Sequence, residues 1–168
     1  MRMIIEESAI SDFSVIEELA SSQNRCLSSF LDINAPVSQI IESFQTLSQR
    51  RPKLRKLGIY TKISLKNLCV SLQESSCRQI LNQYIRGIGW DDLQYISFFE
   101  TASDCLYIHI IFNRVTPETK LIDLNCLGAS WQQYEVLRKS CYQIIQNSLS
   151  NRIQESTSIR NSQFATRN

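Results

Sequence analysis

Tyr107, His109 and Asn113 stand in the run CLYIHIIFN, residues 105 to 113, whose Leu106, Ile108, Ile110 and Phe112 fall on alternate positions. Alternation of this kind marks a strand with one buried face, so the other face carries Tyr107, His109, Ile111 and Asn113 together. A phenol, an imidazole and a carboxamide on one rigid element are groups with which a protein holds a cation or phosphate, or activates a nucleophile. His109 is the single histidine of the chain. It also reads as a packed residue of a half-buried strand. A preceding strand over Leu93 to Glu100, turned straight back by Thr101 to Asp104, makes a hairpin. Setting Glu100 opposite Cys105 pairs Phe98 with Tyr107 and Ile96 with His109, and brings Glu100 to the surface of His109. A slip of one residue would turn Glu100 to the core.

The spacing Tyr107-x-His109-x-x-x-Asn113, followed by Arg114, Val115 and the turn Pro117-Glu118-Thr119, resembles the H-x-H-x-x-x-N metal motif of relaxases, the mobilisation-type DNA nickases of plasmids (MobA/VirD2-like). The resemblance extends over Asn34 to Asn147. In that family a further upstream histidine joins the pair to hold a divalent cation, and its place here falls at Glu100. The resemblance thus implies Glu100 and His109 as the candidate metal ligands, a carboxylate and an imidazole that suit magnesium or manganese better than zinc. The family's attacking tyrosine lies near the N-terminus, whereas the first tyrosine of this chain is Tyr60. The resemblance therefore implies a degenerate relaxase, with Tyr107, Tyr60 and Asn113 as vestigial catalytic candidates. It implies the sheet-and-helix scaffold shared with rolling-circle initiators, whose open sheet face receives single-stranded DNA.

Arg50, Arg51, Lys53, Arg55 and Lys56 fall within seven residues just before the strand LGIYTKISLK at 57 to 66. Such a cluster neutralises phosphates, and binding through it weakens with salt. It also reads as a solvated loop. Lys62 stands where the family's H-x-S-L strand often has a histidine, and it can meet phosphate as a point charge. With Arg114 these are the candidate nucleic-acid contacts.

Bulk properties neither require nor exclude such a partner. The chain has 168 residues, 18 basic and 16 acidic, with a formal net charge of +2, so phosphate binding must come from a local patch. Cys26, Cys69, Cys77, Cys105, Cys126 and Cys141 form no C-x-x-C pair. With no secretory signal and no apolar run of membrane-spanning length, they favour a soluble protein of a reducing cytoplasm.

The elements that must position these groups follow from periodicity. Residues 1 to 33 read as a variable helical segment, with one helix presenting Phe13, Ile16, Leu19 and Ala20 after a Ser11 or Ser14 cap, and a second piece from Arg25 to Leu31. Val37, Ile40, Ile41, Phe44 and Leu47 make an amphipathic helix ending before Pro52. Ser71 and Glu74 form a capping box for a helix with the stripe Cys77, Ile80, Leu81, Tyr84 and Ile88, stopped at Gly89. Leu121 to Leu124 reads as another short strand. Ser130 with Gln133 caps a last helix burying Trp131, Tyr134, Leu137, Cys141, Ile144 and Ile145. Residues 148 to 168 are a flexible polar tail.

The expected architecture is α+β, an antiparallel sheet covered by helices on one face, with residues 34 to 147 as the relaxase-like domain. The expected function is binding of single-stranded DNA by a relaxase-like protein that has lost most or all nicking activity. One alternative is a metal-dependent nickase in which Tyr107 or Tyr60 attacks phosphorus. Another is a non-catalytic interaction module, with a protein partner or a second copy in place of DNA.

Overall fold

The computed structural model describes residues 1–67, 73–102, 105–128, 130–144 and 146–147. In chain order the elements are β1 (Arg2–Ile10), α1 (Val15–Ser22), β2 (Asn24–Ser29), α2 (Val37–Ser48), β3 (Gly58–Lys66), α3 (Glu74–Gly87), β4 (Tyr95–Ala102) and β5 (Cys105–Asn113). A 3-10 turn at Leu124–Cys126 and a last helix, α4 (131–144), follow. The strands form one antiparallel sheet of order β1-β3-β5-β4-β2. β5 is the middle strand, so its side chains see neighbours on both sides.

Alternation along β5 divides the core in two. Leu106, Ile108, Ile110 and Phe112 join Ile59, Ile63 and Leu65 of β3 beneath α3 and α4, which contribute Ile80, Leu81, Tyr84, Leu137 and Cys141. This is the helix-covered face. Ile111 points the other way, and with Ile96 and Phe98 it meets Phe13, Ile16, Leu19, Ile40 and Phe44. Thus α1 and α2 roof part of the second face as well, a feature that strand periodicity alone does not show. Each such fully buried apolar side chain contributes about 1.5–3 kcal/mol of transfer free energy.

Several expected elements require correction. Residues 2–10 are a strand, and the piece expected to be helical from Arg25 to Leu31 is largely β2. Both are edge strands. β1 buries only Ile5, so it lacks a clear apolar alternation. β2 carries a bulge between Arg25 and Ser28 that breaks its period and leaves Cys26, Leu27, Phe30 and Leu31 at helix-like spacing. Residues 121–124 form only an isolated bridge, Val115 to Leu121, before the 3-10 turn. Trp131 is 78% exposed instead of buried. It lies in the first turn of α4, where Leu137, Cys141 and Ile144 supply the contact with the core.

Helix termini follow the sequence in part. The Ser130–Gln133 capping box forms reciprocally, with the Ser130 amide donating to Gln133 Oε1 at 2.6 Å and the Gln133 amide donating to Ser130 Oγ at 3.3 Å. Ser14 precedes α1, but its hydroxyl donates to Asp12. Gln73 occupies the N-cap of α3, and the expected cap Ser71 lies outside the described residues, as do Ser103, Asp104, Ile145 and residues 148–168. Cys26, Cys77, Cys126 and Cys141 are free thiols. Burial pushes Cys26 and Cys141 up to about 12 and Cys77 up to about 11, so these three act as small hydrophobes.

α3 and α4 cross closely because Gly87 has no side chain. A Cβ there would lie 2.3 Å from Val136 Cγ1, and a helical valine has essentially one rotamer with which to respond. Gly87→Ala is expected to cost roughly 1–3 kcal/mol by overpacking, offset in part by better helix propensity. Adding Val136→Ala should restore much of the loss in a thermal melt. A double variant that melts no higher than Gly87→Ala would place the strain elsewhere.

Candidate nucleic-acid interface

Sheet register arranges the second face in rows. Ser8, Tyr60, Ile111 and Ile96 form one; Glu6, Lys62, His109 and Phe98 the next; Ile4, Ser64, Tyr107 and Glu100 the third. Cross-strand partners project to the same side. Ile96, Ile111 and Phe98 lie under α1 and α2, whereas Glu6 and Glu100 are exposed and Lys62 and Tyr107 half-buried. The roof therefore ends at the His109 row, and a polar surface opens beyond it.

At that boundary His109 is 7% exposed. Its Nδ1 lies 2.6 Å from Tyr60 Oη, and the two rings are nearly parallel, 6° apart with centroids 5.9 Å apart. Burial, then the neighbouring Lys62 cation, push the His109 pKa down, and Glu100 opposes them. Burial, then Glu6 and Glu18, push the Tyr60 hydroxyl up. Both groups are consequently held neutral near pH 7, and the tautomer of the imidazole sets which of the two donates in the hydrogen bond between them. Lys62 Nζ stands 5.4 Å from the Tyr107 ring centroid, a cation against a π face.

The depressed His109 has a measurable consequence. Below its ordinary value of 6.5 the unfolded chain takes up a proton that the folded chain refuses, so stability falls with pH until the folded group titrates. His109→Gln is expected to flatten the denaturant midpoint against pH below that value. An unchanged acid limb in the variant would assign the loss to other groups.

Glu100 pairs with Tyr107, and Phe98 with His109. The pairing is displaced by two residues from the expected register, because β4 runs on to Ala102. A shift of two preserves the face, so Glu100 still shares the His109 surface. Its carboxylate accepts from Gln23 Nε2 at 3.1 Å. Among the described residues no third His, Cys, Asp or Glu joins Glu100 and His109. With Lys62 beside the imidazole, this donor set fits a resident divalent cation poorly.

Two expected site residues serve the fold. Asn113 is fully buried under α2, off the open surface on which sequence placed it. Its Nδ2 donates to the Phe44 carbonyl and to Gln94 Oε1, while Oδ1 accepts from Ser48 Oγ and the Val115 amide. All four of its hydrogen-bonding positions are filled. Arg114 is also buried, donating to the carbonyls of Ile122 and Lys56. It braces the loop instead of presenting a free cation.

The basic loop lies at the Asn113 end of the sheet. Arg50 donates to the Pro117 carbonyl at 2.7 Å, Arg51 to the Thr119 carbonyl through Nε and Nη2, and Lys56 to Ser11 Oγ. The two arginines fix the loop against the turn at 116–120 and Lys56 ties it to Ser11, while Lys53 and Arg55 are exposed. Arg50, Arg51, Pro52, Lys53, Leu54 and Leu121 line a cleft of about 490 Å³.

Residues 19–148 match the family model of the MobA/VirD2-like relaxase nuclease domain. The chain belongs to the relaxases. No curated protein matches it. The match covers most of the chain and begins upstream of the sequence resemblance, taking in part of α1 and all of β2. A relaxase domain carries a role connected with nucleic-acid nicking and implies association with DNA. Among the described residues no helix of this relaxase is long and apolar enough to cross a membrane.

Sequence reasoning missed Gln23, the Tyr60–His109 pairing and the roofing of His109. The pairing is diagonal across β3 and β5, and nothing in a single strand pattern encodes it.

Proposed function

We propose that this relaxase binds single-stranded DNA, with the basic loop holding the backbone and the polar end of the sheet receiving part of the strand, and that nicking is lost or residual. The observation that carries DNA binding is the anchoring of the loop. Arg50, Arg51 and Lys56 are tied to the turn at 116–120 and to Ser11, so Lys53 and Arg55 extend from a fixed strut at little ordering cost. Loss of nicking is supported by the poor donor set for a cation. Fluorescence anisotropy of a labelled oligonucleotide should show log affinity falling linearly with log salt, by about 0.7 per phosphate contact. Affinity that ignores salt would favour a protein-interaction surface.

Residual nicking has one specific support, the 2.6 Å contact of Tyr60 Oη with His109 Nδ1. In that reaction Oη bonds to phosphorus and its proton passes to Nδ1. The P–O3′ bond breaks, and the departing 3′ oxygen takes up a proton to leave a 3′ hydroxyl and a 5′-phosphotyrosine. A denaturing gel should then show a protein–DNA adduct that Tyr60→Phe removes and Tyr107→Phe leaves intact. The reverse pattern would make Tyr107 the nucleophile.

A further inference from the structure

Beside the basic cleft lies a second, of about 650 Å³, between the outer side of α2 and the end of the sheet. Its volume is within the range of small-ligand sites. Phe30 forms one wall, Gln39, Glu42 and Ser43 come from α2, Gln94 precedes β4, and Arg50 closes the end. Arg50 lines both clefts, so the two adjoin at this residue.

Phe30 is the unexplained member. It is 62% exposed, and its φ of +61° is a left-handed conformation that a bulky L residue rarely adopts. Burial of the ring does not compensate that cost. The loop that holds it is nonetheless tied down: Arg25 Nη1 donates to the carbonyls of Ile33 and Ala35, each at 2.7 Å, and Ser28 Oγ donates to the Leu31 carbonyl at 3.2 Å. A strained, exposed aromatic on a braced loop is a stacking platform in want of a flat partner.

The opposite side of the cleft is polar and preset. Gln94 Nε2 donates to Ser43 Oγ at 2.9 Å, and Gln94 Oε1 accepts from Asn113, which fixes the amide. The Glu42 carboxylate accepts hydrogen bonds from amino groups, and Gln39, one turn earlier on α2, both donates and accepts.

We propose that this cleft takes one unpaired nucleobase bearing an exocyclic amino group, stacked on Phe30, read by Glu42 and Gln39, with its phosphate at Arg50. The site rests on the single-stranded DNA reading and refines it: the basic cleft tracks the backbone, and the Phe30 cleft selects a base. A carboxylate favours cytosine and adenine, which offer amino groups, over thymine, which does not.

The test is anisotropy with labelled dC10, dA10 and dT10 across a salt series. Wild-type protein should bind dC10 and dA10 more tightly than dT10. Phe30→Ala and Phe30→Leu should each weaken dC10 binding about tenfold, as expected for one lost base–aromatic stack, with the salt slope unchanged. Glu42→Gln should abolish the preference over dT10. If wild type binds with a salt slope but both Phe30 variants stay within about twofold of it, the base site is wrong while DNA binding stands. If wild type shows no salt-sensitive affinity for any of the three, the DNA reading itself falls and the base site with it. Phe30→Leu keeps apolar bulk without a π face, so a loss in Ala that Leu restores would overturn stacking in favour of simple packing.

Discussion

Asn113→Ala is expected to lower stability by about 3 kcal/mol, because truncation leaves the Phe44 carbonyl, Gln94 Oε1, Ser48 Oγ and the Val115 amide without their partner in a dry site. In a chain of this length that is a fall in Tm of roughly 6 to 12 °C. Asn113→Asp has nearly the same shape and a different outcome. Its carboxylate can still accept from Ser48 and Val115 but faces two acceptors at Phe44 and Gln94, so near neutral pH it should be at least as destabilising as Ala. An unpaired buried carboxylate has its pKa raised in the folded state, and the destabilisation therefore eases as pH falls and worsens as it rises. Thermal melts of both variants against wild type at about pH 5 and about pH 8, both above the ordinary carboxylate value of about 4, distinguish the two, because only Asn113→Asp should recover toward the lower pH. Equal melting of Asn113→Ala and wild type would show that the carboxamide network contributes nothing and would return Asn113 to the list of functional residues.

Lys53→Ala with Arg55→Ala should act on affinity and leave stability nearly untouched, since both side chains are exposed. Losing two phosphate contacts makes the slope of log affinity against log salt shallower by about 1.4. By counterion release alone, that corresponds to a loss of roughly 60-fold at 50 mM salt and roughly tenfold at 0.2 M. Arg114→Ala should do the opposite. Its guanidinium joins Ile122 to Lys56 behind the loop, so the variant should melt lower, with any loss of affinity following from the loosened loop. A double variant with wild-type slope would remove Lys53 and Arg55 from the interface.

Long elements with a strong apolar period were legible. β3, α2, α3 and β5 fall where alternation or a helical stripe places them, and Gly89 ends α3 with a φ of +76°. Elements whose contacts come from one side were not. β1 and β2 close the sheet at its edges, where few side chains are buried and a bulge disturbs the count. The candidate site was legible to the same degree. His109, Tyr107 and Glu100 share a surface as the strand parity requires, since parity survives the two-residue displacement of the hairpin. Asn113 has the same parity as His109 and yet lies under α2, because parity specifies a face and does not say what covers it.

By itself the sequence determined the chain's family, an antiparallel α+β scaffold, the middle strand and the residue types it displays. Those depend on local periods and spacings, which a linear string carries in full. Only the tertiary structure decided that Tyr60 meets His109, that Asn113 and Arg114 are bracing groups, and that Phe30 and Arg50 border one cleft. Each of these rests on at least one contact or shared cleft between residues 20 or more positions apart, and the burial that turns a polar group from ligand to strut exists only once the elements have come together.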